Sequence, residues 1–387
     1  MTISHLISPQ LQQQMTHWRR DIHAHPETAF EEVRTSGLVA EALTKMGIKV
    51  HRGLGATGVV GTLTNGTGPT IGLRADMDAL HMEEKGDLAH ASRHQGKMHG
   101  CGHDGHTAML LGAAQYLSEN RDFNGTVHFI FQPAEENEGG ARQMVEQGLF
   151  DLFPCDSIYG MHNVPQMALG TFGIRCGPMF SASDFFEIRI TGKGAHAAHP
   201  QAAVDSIVAA SSLVCALQSI VSRNVNPQDA LVLSVTQISA GDTWNVLPDD
   251  ALIRGTCRSF TVQTRALARK RIEEICAGIA KSYGTQINVN YIEGYPPVVN
   301  AEAPTLAAIT AAQTLVGNAA VNTDMPPRTG SEDFSYMQQQ CDGAYIMLGS
   351  AKGENDPPVH NPYYDFNDDA LQYGAGYWVT LTKQLLK

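Results

Sequence analysis

The chain has 387 residues, 43% of them apolar, enough for two cores rather than one, and its Pro and Gly are too scattered for a repetitive or disordered chain. Acidic residues outnumber basic ones 39 to 27, giving a net charge of −12, and the basic cluster Arg265 to Arg271 sits at helical spacing among apolar residues, which argues against nucleic acid as a partner. The opening MTISHLISPQLQQQM is no secretory leader, no apolar run approaches a membrane span, and seven irregularly spaced cysteines make no disulfide framework, so cytoplasm is the expected compartment. Cys155, Cys176, Cys215, Cys257, Cys276 and Cys341 read as small buried apolar residues.

Residues 9–48 read as a helix, a short loop at His25-Pro26-Glu27 and a second helix. From there to 175, β-rich runs (59–63, 70–75, 126–131, 157–161) alternate with helical patterns (107–118, 140–148). This is the signature of an α/β layer architecture around a mostly parallel sheet. The stretch 182–294 differs. It runs strand (183–191), helix (203–223), strand (231–239), strand (251–260), helix (262–283), strand (286–292), the order of a ferredoxin-like α+β unit. Residues 295–387 return to helix, strand (344–349), loop and helix. The expected division is therefore 1–181 with 295–387 as one domain, and 182–294 as a second inserted into it. The 203–223 helix carries more apolar residues than one side of a small sheet needs, which suggests an interface.

Four predicted strands run into polar residues that do not suit a core: Asp76-Met77-Asp78, Glu135-Glu136, His162-Asn163, and a loop carrying His360. In open α/β sheets ligands gather at the carboxyl ends of strands. A fifth cluster, Cys101-Gly102-His103-Asp104-Gly105-His106, stands just before a helix, whose N-terminus favours a thiolate. Taken singly, each cluster has a plain reading: a hydrogen-bonded His, a capping or turn Asp, a solvated helix start at Glu135-Glu136. Cys, two His and Asp within six residues rarely serve packing. Together the clusters suit zinc, manganese or cobalt-type ions, with one of two adjacent carboxylates on the metal and the other moving protons.

These residues resemble the M20 metallopeptidase superfamily, specifically its amidohydrolase branch of hippurate hydrolases, N-acyl amino acid amidohydrolases and auxin-conjugate hydrolases. The resemblance covers nearly the whole chain. It lies in Arg74 to Leu80, Met98 to His106, Phe131 to Glu136, Met161 to Asn163, Gly192 to Ala198, Asn245 to Pro248, Gly330 to Phe334 and His360 to Pro362. His81 departs from it, standing where relatives carry Pro. The resemblance implies a zinc-peptidase-like catalytic domain with an inserted dimerisation or lid domain. It implies that Cys101, His103, Glu136, His162 and His360 hold two divalent ions (Zn, Mn, Co or Ni), Cys101 replacing a bridging Asp. Glu135 would be the general base. Asp78, or else Asp76, would orient a ligand. His196 would stabilise the oxyanion from the partner subunit. Asn245 and Arg258 match positions that bind a substrate carboxylate, although Arg258 reads equally as the partner of a structural acid. The expected substrate is a small N-acyl amino acid, and the expected assembly a homodimer or homotetramer. A dipeptidase or carboxypeptidase shares every catalytic residue. A non-catalytic metal-binding protein would be expected to lack Glu135, and a two-metal phosphoesterase to carry a phosphate-cradling Gly-rich loop.

Overall fold

The computed structural model of the chain describes residues 6–136 and 138–387. They form two compact units. The larger takes the chain up to Met179, then Val299–Pro326 and Asp333–Lys387; the smaller takes Phe180–Val298 and Pro327–Glu332.

The larger unit is built on an eight-stranded sheet. Its order is Lys49–Leu54, Gly58–Asn65, Gly125–Gln132, Thr70–Asp76, Ser157–Val164, Gly343–Gly349, Phe172–Gly173 and Val321–Asn322. The central four strands, from Gly125–Gln132 to Gly343–Gly349, are mutually parallel. The antiparallel Lys49–Leu54 and Gly58–Asn65 extend one side. The parallel centre is read correctly from its apolar runs, whereas Lys49–Leu54 escapes because its side chains are mostly exposed. The register sets Asp76 opposite Gln132, and Met347 opposite His162, so the polar ends of these strands emerge together.

Helix His103–Glu119 packs on Thr70–Asp76 and is itself covered by Pro9–Ala24 and Leu371–Leu385. Each residue from His103 to Ala114 is buried, the pattern of a helix covered on all sides. Its first turn is therefore fixed by the core, and with it the fifth polar cluster. Helix Val33–Lys45 packs on the antiparallel strands. Its first-turn amides are capped by Glu27, whose carboxylate accepts from Arg34 N at 2.9 Å and Thr35 N at 2.8 Å.

In the smaller unit, the sheet order is Leu231–Ser239, Asp250–Ser259, Ala182–Thr191, Gln286–Glu293, with every neighbour antiparallel. Helices Ser206–Ser219 and Val262–Tyr283 pack on it, giving the ferredoxin-like strand and helix order. Its core joins Phe186, Ile188 and Ile190 to Ala209, Leu213, Leu217, Ile253 and Ile272. Asp205 and Thr261 cap the two helices through Ile207 N, Val208 N and Thr264 N.

Two sequence expectations need correction. The helical run Ser206–Asn224 is long and apolar enough to cross a membrane by length and composition. It carries no charge before Arg223, and here its Ala209, Leu213, Leu217 and Ile220 face packs into the core of the smaller unit. Cys176 and Cys215 are exposed rather than buried; Cys257, Cys276 and Cys341 are buried and Cys155 is half-buried.

Candidate active site

The parallel strands deliver Asp76 and Asp78, Glu135 and Glu136, and His162 to one edge of the sheet. Met77 N donates to Gln132 O at 2.9 Å, so the Asp76–Asp78 segment leaves its strand against the neighbouring one. His360 arrives on the loop after Gly343–Gly349, its N–H on Gly100 O at 2.7 Å, with a left-handed φ of 63° rarely tolerated by a residue with a Cβ. Gly102 ends the loop before His103 at φ 96°; a Cβ there would run into Asn163 Oδ1 and Tyr364 Oη.

These turns bring five candidate side chains together. Ligand atoms of Cys101, His103 and His162 lie within 4.8 Å of one another, as do those of Cys101, Glu136 and His360, and those of His103, Glu135 and Glu136. Cys101 Sγ is 3.3 Å from His162 Nε2, and His360 Nε2 is 2.9 Å from Glu136 Oε1. His103 Nδ1 faces Asp78 twice, at 2.9 Å from its carbonyl and 3.1 Å from Oδ1, which assigns the proton to Nδ1. His162 Nδ1 likewise meets Asn163 O at 2.7 Å. Both rings therefore turn Nε2 toward the cluster. His103 Nε2 is buried without a hydrogen-bond partner. An orphaned imidazole nitrogen beside a thiol and a carboxylate is what a divalent metal centre with N, S and O donors requires, and these residues fit one.

Electrostatics follow from burial. Burial pushes the Cys101 thiol up, and Glu136 adds to this. His103 and the helix N-terminus pull the other way. Burial opposes the charge on His103, but Asp76, Cys101 and Asp78 hold it well above the usual imidazole range. His162 is held well below that range by burial and by His106. Bonds to Cys101 and Glu136 raise His360 to about 10.

Behind the cluster lies a layer that sequence reasoning missed. Asp76 does not approach His103 as Asp78 does; its Oδ1 is 2.6 Å from His106 Nδ1, and Oδ2 accepts from Arg74 at 2.7 Å. Burial works against its charge, yet His103, His106 and Arg74 keep Asp76 well below the ordinary carboxylate range. Arg74 also donates to Gln132 at 2.7 Å and Asp333 at 3.0 Å. The only sequence signal for this layer was an arginine and an aspartate inside runs noted for other reasons.

The remaining candidates lie in the smaller unit. His196 is exposed, its Nδ1 accepting from Ala198 N at 3.0 Å, on a short ladder that pairs it with Val246. Asn245 is exposed, its carbonyl accepting from Ala197 N. Arg258 is half-buried over the Phe185 ring and donates to Thr256 Oγ1 and Cys257 O. The buried acid of this sheet, Asp184, is taken by Arg265 and Tyr291 instead. Burial opposes the charge on Arg258, while Asp184 favours it through space.

The chain is similar to known proteins over nearly its whole length. The chain is 41% identical over 370 residues to a hippurate hydrolase of Campylobacter jejuni, covering 95% of this chain and 96% of that one. It is 39% identical over 383 residues to an N-acetyl-L-cysteine deacetylase of Bacillus subtilis, covering 97% and 89%. Among solved structures it is similar to a dinuclear metal binding peptidase of the M20 family from Bacillus subtilis, with a TM-score of 0.86 at 33% identity, covering 97% of this chain and 99% of that one. The pattern of peptidase family M20/M25/M40 matches residues 72–384, and on that match and these identities the chain belongs to this family.

Proposed function

We propose that this protein is a metal-dependent amidohydrolase that cleaves the amide bond of N-acyl amino acids, releasing a carboxylic acid and a free amino acid. The observation that carries the reading is the unpartnered Nε2 of His103, set among Cys101, Glu136 and the neighbouring Glu135. Cys101, His103, Glu136, His162 and His360 would hold two divalent ions, with Zn, Mn, Co and Ni all compatible with a mixed N, S and O donor set. Bound there, the ions would polarise the amide carbonyl and make water acidic enough to attack near neutral pH. Glu135, only 8% exposed, takes the proton of the attacking water and passes it to the leaving amine. Asp78 orients His103 through Nδ1. Asn245 and Arg258 bind the substrate carboxylate, for which a guanidinium fork is the natural partner. The peptidase name of the Bacillus subtilis structural neighbour favours dipeptides as a second reading. Turnover of hippurate-like compounds and dipeptides measured side by side separates the two. The seven cysteines are all unpaired, which supports a cytoplasmic location, checked by cell fractionation.

Assembly follows from the smaller unit. Ile207, Val208 and Val221 are exposed on the Ser206–Asn224 run, an apolar surplus that suits a two-fold homodimer, with a homotetramer as the larger form. In that dimer His196 serves the partner subunit's centre as oxyanion donor.

Five outcomes test this reading. Glu135→Gln keeps the fold and the metal but lowers turnover by about two to four orders of magnitude; near-normal turnover in the folded, loaded variant removes the assignment. Glu136→Gln instead weakens metal binding, read by titration after chelation. Cys101 reacts with a thiol reagent in metal-free protein and is protected once metal is added; equal labelling in both states counts against ligation. Arg258→Ala raises KM for an N-acyl amino acid far more than for its carboxamide, whereas equal wild-type processing of acid and amide leaves Arg258 without this role. His196→Ala and Glu135→Gln homodimers are each nearly inactive, yet mixing and reassociating them restores about one quarter of wild-type activity, since half the dimers are then hybrids with one complete site. No recovery despite demonstrated exchange means that His196 does not act across subunits.

A further inference from the structure

Glu32 occupies the N-cap position of helix Val33–Lys45, yet its side chain caps nothing there; Glu27 does that work. Its carboxyl, 0% exposed, points the other way. Oε1 accepts from Phe30 N at 3.1 Å and from Ala134 N at 2.9 Å, and Oε2 from Thr57 Oγ1 at 2.6 Å. Ala134 immediately precedes Glu135. It sits at φ 52°, a left-handed conformation that is strained for a residue with a Cβ and persists only when its surroundings hold it. Its carbonyl is held by Gly140 N at 2.9 Å.

The rest of the strain lies close by. Four non-glycine residues have positive φ among those described: Phe30, Ala56, Ala134 and His360. Phe30 and Ala134 donate their N–H to Glu32, and Ala56 precedes Thr57, the third donor. On the far side of Glu135, the Glu136 N–H is held by Asp78 Oδ2 at 2.9 Å. The backbone is thus gripped by a carboxyl group on each side of Glu135. Asp78 also touches His103; among the described residues no hydrogen bond joins Glu32 to any of the five candidate ligands. Ionisation is disfavoured in this place: burial first, and Asp78 after it, push the Glu32 carboxyl up to about 7. Of the three segments that Glu32 ties together, the one at Ala134 leads directly into Glu135.

We propose that Glu32 is a positioning residue for the proton-transfer step: by holding Ala134 in its left-handed conformation it sets the reach of the Glu135 carboxylate. The inference rests on the reading of Glu135 as the base. Its loss displaces Glu135 without touching substrate or metal ligands, and a misplacement of about 1 Å costs roughly a hundredfold in rate.

The test uses metal-loaded protein carrying Glu32→Ala, Glu32→Gln or Glu32→Asp, each alone and combined with Glu135→Gln. Steady-state kinetics and metal titration are read on every variant. Glu32→Ala is expected to lower kcat by about ten- to a hundredfold, with KM and metal affinity within about twofold of wild type. Glu32→Gln is expected to stay near wild type, because its amide oxygen still accepts both backbone N–H groups and its amide nitrogen can donate to Thr57 Oγ1. In the Glu135→Gln background the Glu32→Ala loss is expected to vanish, since the group being positioned is gone. Glu32→Asp, one methylene shorter, is expected to lose kcat in the same way and covers the case in which Glu32→Ala does not fold. Unchanged kcat in the Ala and Asp variants overturns the proposal. So does an equal loss in the Glu135→Gln background, or a parallel loss of metal affinity, which would mark a merely structural role. Near-wild-type turnover of Glu135→Gln alone overturns the base reading itself.

Discussion

A buried charge has to be paired, and the larger unit meets that demand at Arg74. This guanidinium is 1% exposed and lies between Asp76 and Asp333, both fully buried, with Gln132 filling a third direction. Removing one partner from such an arrangement costs about 3–5 kcal/mol, because the other charges stay behind in a medium that cannot solvate them. Asp76 can then remain ionised under the cluster. It fixes His106, whose second nitrogen lies 2.8 Å from Asn163 Oδ1 and 3.1 Å from Asn163 N. Asn163 in turn offers its carbonyl to His162 Nδ1. A chain of contacts thus runs from the core arginine to the face of a candidate ligand.

The same contacts sort the histidines. Both nitrogens of His106 are occupied, by Asp76 and by Asn163, so it is spent on structure although it stands in the same short motif as His103. His103 and His162 each use Nδ1 on a backbone or carboxylate oxygen and keep Nε2 for the cluster. His23 shows the alternative fate of a buried imidazole. It sits between Asp104 at 2.8 Å and Glu84 at 3.3 Å, and although burial opposes its charge, these partners raise it to about 9. A nitrogen left for the cluster separates His103 and His162 from His106 and His23, despite their shared residue type.

This explains what could be read in advance. The carboxyl ends of the central strands were legible because apolar β-rich runs stop abruptly at Asp76, Glu135 and His162, and the parallel order of those strands makes the stops coincide. The ferredoxin-like order was legible because each strand and helix keeps its own period. Arg74 was not, since an arginine within an apolar run gives no sign of the acids it will meet 2 and 259 residues away. Glu32 was hidden for the same reason. Its partners Thr57 and Ala134 stand 25 and 102 residues off, while the nearer and equally acidic Glu31 is 65% exposed. Contacts at that separation are set by how the chain closes on itself, which no local pattern carries.

Cys101 shows why the site's chemistry depends on more than its geometry. A helix N-terminus alone would lower a thiol's pKa. Here the thiol is buried beside Glu136, with Glu135 in the same cluster, and these surroundings favour the proton over the charge. Positive charge on the His103 ring pulls the other way and is itself favoured by Asp76 and Asp78. The cluster therefore favours protons on its thiol and on the His103 and His360 rings. A cation entering it would compete with protons on Cys101, His103 and His360 together, so binding and deprotonation become one event. The residues that hold the backbone, Asp78 and Glu32 among them, do not take part in that exchange as ligands. They keep the donors and Glu135 in place while the charge at the centre changes.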